Sequence, residues 1–448
     1  MIVDAARKAL ETGPLCDPCL GRPLADRSFG LTNDERGRAL RIAVALAEDE
    51  PFEPGEEIDC WVCEGQCSRY DVWAERATEA LAEVEFSTYQ VGTRAPPLIE
   101  ENDALLRAEA GLPEDAGERF KSECNREVGK RLGMRTGTEV DFERPDVLCM
   151  LDIQRETVEV QVNSAFLYGR YRKLERDIPQ TEWPCRECNG TGRKRDEICD
   201  GCDGTGYRYD ESVEELTAPV VREAFDGADG TFHGAGREDV DARMLEGGRP
   251  FVIEVDEPRV RNVDTDALEA DIAEFADGKV EVFDLHLATH DMVERVKELD
   301  ASKTYRMDIA FDDPVDAEDF RAALDELRGA TTEQRTPQRV DHRRADTVRT
   351  REVYDIEGEL VGPDGDPEGA DTDGEAAGAT VELHGEGGLY VKELVSSDEG
   401  RTEPSLAGLL GVDAEVTALD VLDVEGEEEP FLTEDFVREV RSGDESDE

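Results

Sequence analysis

Apolar positions recur at helical spacing in some stretches of this chain and at strand spacing in others. Met1-Ile-Val-Asp-Ala-Ala-Arg7 opens the chain as a short amphipathic stretch. Leu31-Thr-Asn-Asp-Glu-Arg36 begins a helix that runs through Ala47, with Thr32 or Asn33 as its cap. Phe120 to Leu132 has helical spacing and carries Lys121, Arg126 and Lys130 on its polar side. Asp146 to Ile153 and Thr157 to Val162 read as two strands joined by a short Gln-Arg-Glu turn. Further on, Pro250 to Val255 and Thr304 to Ile309 read as strands, and Tyr305, Met307 and Ile309 share one face of the second. Phe320, Ala323, Leu324 and Leu327 form a helical stripe after an Asp-rich start. Asp355 to Ala377 is rich in Gly, Asp and Pro and reads as a long acidic loop, and Ser442 to Glu448 as a frayed acidic tail.

Charge changes this picture more than length does. The 448 residues hold 111 acidic against 51 basic side chains, a net of -60, and the basic set is 42 Arg and 9 Lys. A balance this acidic can signal disorder. The 38% hydrophobic content and the recurring amphipathic patterns point instead to a folded chain with an acidic, Lys-poor surface. That surface resembles those of proteins from salt-loving archaea. In molar salt the Debye length is about 3 Å, so global repulsion of nucleic acid collapses and local arginine clusters can bind RNA. No apolar run has membrane-spanning length and no signal peptide opens the chain, so no membrane association and a cytoplasmic location are expected.

Eleven cysteines in a cytosolic chain point to metal before disulfides. Cys16-Asp-Pro-Cys19 and Cys60-Trp-Val-Cys63 are two Cys-x-x-Cys knuckles, enough for one tetrahedral structural zinc, with Cys67 a spare neighbour. Cys185-Arg-Glu-Cys188-Asn-Gly-Thr-Gly and Cys199-Asp-Gly-Cys202-Asp-Gly-Thr-Gly form an internal repeat and a second zinc candidate. That repeat resembles the zinc domain of DnaJ-type chaperones, but the chain lacks a His-Pro-Asp tripeptide.

One segment opposes the overall charge. Arg335 to Arg351 holds six arginines against Asp341 and Asp346. Guanidinium groups bind phosphate bidentately and stack on bases, so Arg339, Arg343, Arg344 and Arg349 are candidate RNA contacts. The bland alternative is an Arg-Asp ladder between strands. A tight Gly236-Arg-Glu-Asp239 turn places a carboxylate two residues after a guanidinium, with Asp241 close behind.

Pseudouridine synthases carry their catalytic aspartate on a Gly-Arg-X-Asp turn of this kind. The chain resembles the archaeal tRNA pseudouridine 54/55 synthase family nearly end to end. The stretches that carry the resemblance are Cys16-Asp-Pro-Cys-Leu-Gly-Arg22, Asn125-Arg-Glu-Val-Gly-Lys-Arg131, Gln161-Val-Asn163 with Tyr168-Gly-Arg-Tyr-Arg-Lys-Leu-Glu-Arg176, Gly234-Ala-Gly-Arg-Glu-Asp239, His342-Arg-Arg-Ala-Asp346 and Gly400-Arg-Thr-Glu-Pro-Ser-Leu406. Residues from about Ser87 to Glu175 resemble a THUMP domain, a module that carries the acceptor end of tRNA.

The resemblance implies an α+β multidomain fold. Its N-terminal half would be zinc-stabilised and contain the THUMP domain, followed by a mixed α/β catalytic domain. The expected parts are a zinc-binding segment over 1–70, a THUMP-like domain over 71–183, a second zinc knuckle over 184–207, a catalytic domain over 208–440 and an acidic tail over 441–448. It implies a tRNA pseudouridine synthase that isomerises uridine 55, with 54 also expected, in the T arm. Asp239 would act as nucleophile, with Asp241 as its rival on the same turn. Tyr305 and Tyr390 would contact the base, Lys392 would keep the aspartate ionised, and Arg237 would fill space left by a flipped base or hold phosphate. The isomerisation needs neither redox chemistry nor an energy source, so no organic cofactor is expected. No obligate protein partner is evident. A THUMP-bearing methyltransferase fits less well, because no strand leads into a Gly-x-Gly-x-x-Gly loop. The non-enzymatic alternative is a zinc-stabilised tRNA-binding or chaperone-like protein.

Overall fold

Local signals and long-range pairing together build two units. The computed structural model describes residues 2–55, 59–195, 197–340, 345–361, 375–425 and 431–438. One unit takes Met1–Ser164 and Asp256–Arg261, the other Ala165–Val255 and Asn262–Glu448. The expected tail, 441–448, lies outside the described residues. Among the described residues no helix is long and apolar enough to cross a membrane.

In the first unit, the helix Asn33–Glu48 starts where its sequence requires. Thr32 and Glu35 exchange side-chain and backbone hydrogen bonds in a capping box. Four strands form one sheet. Thr88–Arg94 runs parallel to both Glu139–Val140 and Val147–Asp152, and Thr157–Val162 pairs antiparallel at the edge. The helix Phe120–Thr136 buries Phe120, Cys124, Val128 and Leu132, the stripe that its spacing predicts. The returning segment is tied in by Arg261, whose backbone N–H donates to Glu85 and whose guanidinium lies 3.2 Å from Asp146 Oδ1.

The second unit is organised by a ten-stranded sheet. Its central strand, Ser302–Asp316, pairs antiparallel with Ala414–Glu425 on one side and Glu375–Gly385 on the other. Ala414–Glu425 then pairs parallel with Arg243–Asp256, which pairs antiparallel with Ala165–Lys173. Two expectations are corrected here. Tyr168 to Lys173, grouped by sequence with the THUMP-like segment, is a strand of this larger sheet, and Tyr168, Tyr171 and Lys173 are buried in it. The stretch read as an acidic loop from Asp355 begins instead as strand, Val348–Val361, and ends as strand, Glu375–Gly385. Cross-strand pairing overrides its poor local strand propensity; residues 362–374 lie outside the described set.

Candidate active site and metal centres

The Gly236 turn joins the strands Asp229–Gly234 and Arg243–Asp256. Gly236 has φ 67°, a left-handed conformation that a side chain would strain. The turn's carbonyls are held from beneath. Arg249 Nη1 donates to Ala235 O at 2.8 Å and Gln180 Nε2 to Gly236 O at 2.9 Å. Lys173 Nζ donates to Val240 O at 3.0 Å and approaches Asp239 O at 3.4 Å.

These buried cations need a counter-charge, and Glu238 supplies it. Its carboxylate is almost fully buried, with Arg249 Nε 2.9 Å away and Lys173 Nζ 3.9 Å away. Tyr171 donates its hydroxyl to it at 2.9 Å and accepts from Gln180 Nε2 at 2.9 Å. Burial, then the Glu238 charge, push the Tyr171 pKa well above its ordinary value. So one side chain of the turn points inward as an anchor, and its neighbour Asp239 faces out.

Asp239 meets two cations. Lys392 Nζ lies 3.3 Å from Asp239 Oδ2, and Arg339 Nη1 lies 3.4 Å from the same oxygen. Lys392 also reaches Asp241 Oδ2, at 3.0 Å. Burial works to raise the Asp241 pKa, but the hydrogen bond and charge of Lys392 hold it below the usual range. The Asp239 side chain is 42% exposed and that of Asp241 63%. Arg339 is itself aimed by Glu393, a buried carboxylate 2.6 Å from its Nε.

The two tyrosines are set differently. Tyr305 is buried on the central strand, and burial, eased by Arg249 and reinforced by the Asp239 charge, pushes its hydroxyl up to about 12. It stays a neutral phenol at any physiological pH. Tyr390 is half-buried at the start of the helix Val391–Ser396. The buried Gln334 amide clamps its backbone, donating to Tyr390 O at 2.9 Å and accepting from Tyr390 N at 2.8 Å. The Arg349 guanidinium lies 5.9 Å from the Tyr390 ring centroid.

Asp239, Lys392 and Arg339 therefore share one spot, with Tyr305 close enough for its pKa to respond to the Asp239 charge. Arg349 accompanies Tyr390. Arg237 stacks over Trp183. Arg343 and Arg344 lie outside the described residues. Part of the arginine stripe is a ladder of pairs, since Arg335 bonds Asp346 and Arg351 lies 3.3 Å from Glu386. Sequence reading missed Glu238, Arg249, Tyr171, Gln180, Gln334 and Glu393. For Glu238 alone a signal existed: it fills the X position of the turn.

Both cysteine groups come together. Sulfurs of Cys185, Cys188, Cys199 and Cys202 lie within 4.8 Å of one another, as do those of Cys16, Cys19, Cys63 and Cys67. Cys67, read as a spare neighbour, thus stands in the first quartet, and Cys60 is outside it. Cys60 remains close: hydrogen bonds from Cys16 and Cys19 hold its thiol down at about 7. Four sulfurs at 2.3 Å from a tetrahedral zinc stand about 3.8 Å apart. The measured Cys16–Cys63 and Cys19–Cys67 separations are 3.7 and 3.9 Å, and Cys188–Cys202 and Cys185–Cys199 are 3.7 and 3.9 Å. Both groups are consistent with structural metal sites. The fully buried Arg22 braces the first, 3.4 Å from Cys19 Sγ and 2.7 Å from both Asp103 and Glu123.

The chain is similar to known proteins along most of its length. Residues 166–425 match the family model described as Pus10, C-terminal, and residues 73–152 that of the archaeal Pus10 THUMP domain. The chain is 64% identical over 438 residues to tRNA pseudouridine synthase Pus10 of Halorubrum lacusprofundi, covering 98% of this chain and 100% of that one. Identity to tRNA pseudouridine synthase Pus10 of Methanothrix thermoacetophila is 44% over 450 residues, 95% of each chain. A solved Cbf5-Nop10-Gar1 complex aligns at 17% identity with a TM-score of 0.28, over 47% of this chain and 45% of that one, too distant to carry an argument. The chain belongs to the Pus10 family of tRNA pseudouridine synthases, which are isomerases and carry a THUMP domain. That membership sets aside the non-catalytic, chaperone-like alternative.

Proposed function

We propose that the enzyme isomerises uridine 55, and also uridine 54, in the T arm of tRNA, with Asp239 as the nucleophile or base that attacks the nucleoside. The bond from ribose C1' to base N1 breaks, the base turns, and C5 joins C1'. C5 then loses its proton and N1 gains one, so atoms balance without a co-reactant. The observation that carries this reading is the outward Asp239 carboxylate, held between Lys392 and Arg339 on a turn anchored by buried Glu238. Lys392 and Arg339 place two positive charges beside the oxygen that would attack.

Tyr305 and Tyr390 would bracket the extruded base, and a neutral Tyr305 can stack or donate without carrying charge. The first unit, with its THUMP domain, would hold the tRNA body in a salt-rich cytoplasm. Zinc would occupy both four-cysteine groups and fix their loops. Metal analysis of the folded protein should then give two zinc ions per chain, and a value of zero or one would contradict it.

Position is tested with tRNA transcripts tritiated at uridine C5, in concentrated KCl. Tritium should be released from the unmodified transcript, and release should stop when uridines 54 and 55 are replaced by cytidine. Release that survives the replacement would place the target elsewhere. Lys392→Ala should slow single-turnover release by roughly a hundredfold, because one of two charges on Asp239 is lost. An unaltered rate would remove Lys392 from the site.

A further inference from the structure

The second cysteine group does more than close on itself. Its ends are tied at the root: Cys185 N donates to Gly206 O at 2.7 Å and Arg208 N to Trp183 O at 3.0 Å, with Pro184 bridged to Tyr207. This staple sets Trp183 beside Arg208. The Arg208 guanidinium lies 5.4 Å from the Trp183 ring centroid, and that of Arg237, from the Asp239 turn, also 5.4 Å. Tyr209 packs edge-on against the same indole at 5.5 Å. Arg186, Arg208 and Arg237, with Glu182, Trp183 and Pro184, line a cavity of about 240 Å³.

The three guanidiniums converge on one cavity. The chain carries 111 carboxylates for 51 cations, and arginines such as Arg328, Arg335 and Arg401 are paired with them. Among the described residues, Arg186, Arg208 and Arg237 form no ion pair with a carboxylate. The lining holds one carboxylate, Glu182. Three exposed arginines that share a cavity in so acidic a protein repel one another unless an anion joins them. The indole reduces that cost, since cation–π contacts hold two of them in place while leaving their N–H groups to donate.

We propose that Arg186, Arg208 and Arg237, braced on Trp183 at the root of the second cysteine knuckle, form a binding site for backbone phosphate of the substrate RNA beside the Asp239 turn. The proposal rests on the reading of tRNA as substrate. Arginine suits the task in concentrated salt, where simple point-charge attraction is screened and a planar fork still bonds phosphate bidentately. Arg237 lies two residues before Asp239, so a phosphate held here would fix the strand that presents the target uridine.

The test is a titration of metal-loaded protein with unmodified tRNA transcript across a series of KCl concentrations. In the Arg186→Ala/Arg208→Ala variant, the slope of log Kd against log salt should fall by about 0.9 for each phosphate that is no longer neutralised, and affinity should drop on the order of tenfold. Trp183→Ala should weaken binding through loss of the brace, and Trp183→Phe should restore part of it. An unchanged slope and affinity in a double variant that keeps its metal and its melting temperature would overturn the proposal. If that variant misfolds, Arg186→Ala alone, at the exposed rim, decides by the same slope. Absence of tritium release by the wild-type protein would sink the catalytic reading separately, while the slope would still decide this one.

Discussion

Asp239→Ala should abolish tritium release from uridine-C5-labelled tRNA, by more than roughly a thousandfold in single turnover, while tRNA binding stays close to that of the wild type. The expectation comes from two facts that pull in one direction. The carboxylate is not part of the buried scaffold of its turn, because Glu238 fills that role. Its partners are the side-chain cations Lys392 and Arg339, which remain after truncation and still attract RNA. Asp241→Ala is the matched control. Asp241 shares Lys392 but is more exposed and has no contact with Arg339 among the described residues. It should lose no more than roughly tenfold, through the altered setting of Lys392. If Asp241→Ala were inactive and Asp239→Ala active, the two carboxylates would exchange roles.

Glu238→Ala should act on stability first and on activity as a consequence. It leaves Arg249 and Lys173 buried with positive charge and removes the acceptor of the Tyr171 hydroxyl. Breaking one side of a buried charge pair costs about 3–5 kcal/mol. The second unit should therefore melt several degrees lower, with the loss read from denaturant midpoints at constant slope. Glu238→Gln keeps the shape and one acceptor and should cost less. Restoring charge balance in Glu238→Leu/Arg249→Met should recover part of the stability but not the activity, because Arg249 also holds Ala235 O. A fully stable Glu238→Ala protein would mean that the turn is held by its backbone alone.

Much of this was legible locally. The Thr32 cap, the stripe from Phe120, the strand that carries Tyr305 and the Asp316-capped helix Ala317–Leu327 each depend on residues a few positions apart, where side-chain period and capping chemistry decide the outcome. The neighbourhood of Asp239 was legible only through family resemblance. Nothing local to Lys392 says that it faces a turn some 150 residues away (|i−j| is 151 for its bond to Asp241). Long-range pairing also decides what local spacing leaves open. Tyr171 stands among cations in the sequence, and strand pairing turns it inward to Glu238. Arg339, a candidate RNA contact, is set in place by Glu393 and Asp239, both distant in sequence. In the first cysteine group the regular two-residue spacing favoured Cys60, whereas the backbone path brings Cys67 into the quartet.

The most direct test is to map pseudouridine in an unmodified tRNA transcript after incubation with the protein in concentrated KCl, by carbodiimide-dependent stops of reverse transcription. Stops are expected in the T arm at 55 and 54, absent with Asp239→Ala and present with Asp241→Ala. A transcript with no T-arm stop, or one still modified by Asp239→Ala, would contradict the assignment of Asp239 as the residue that attacks uridine.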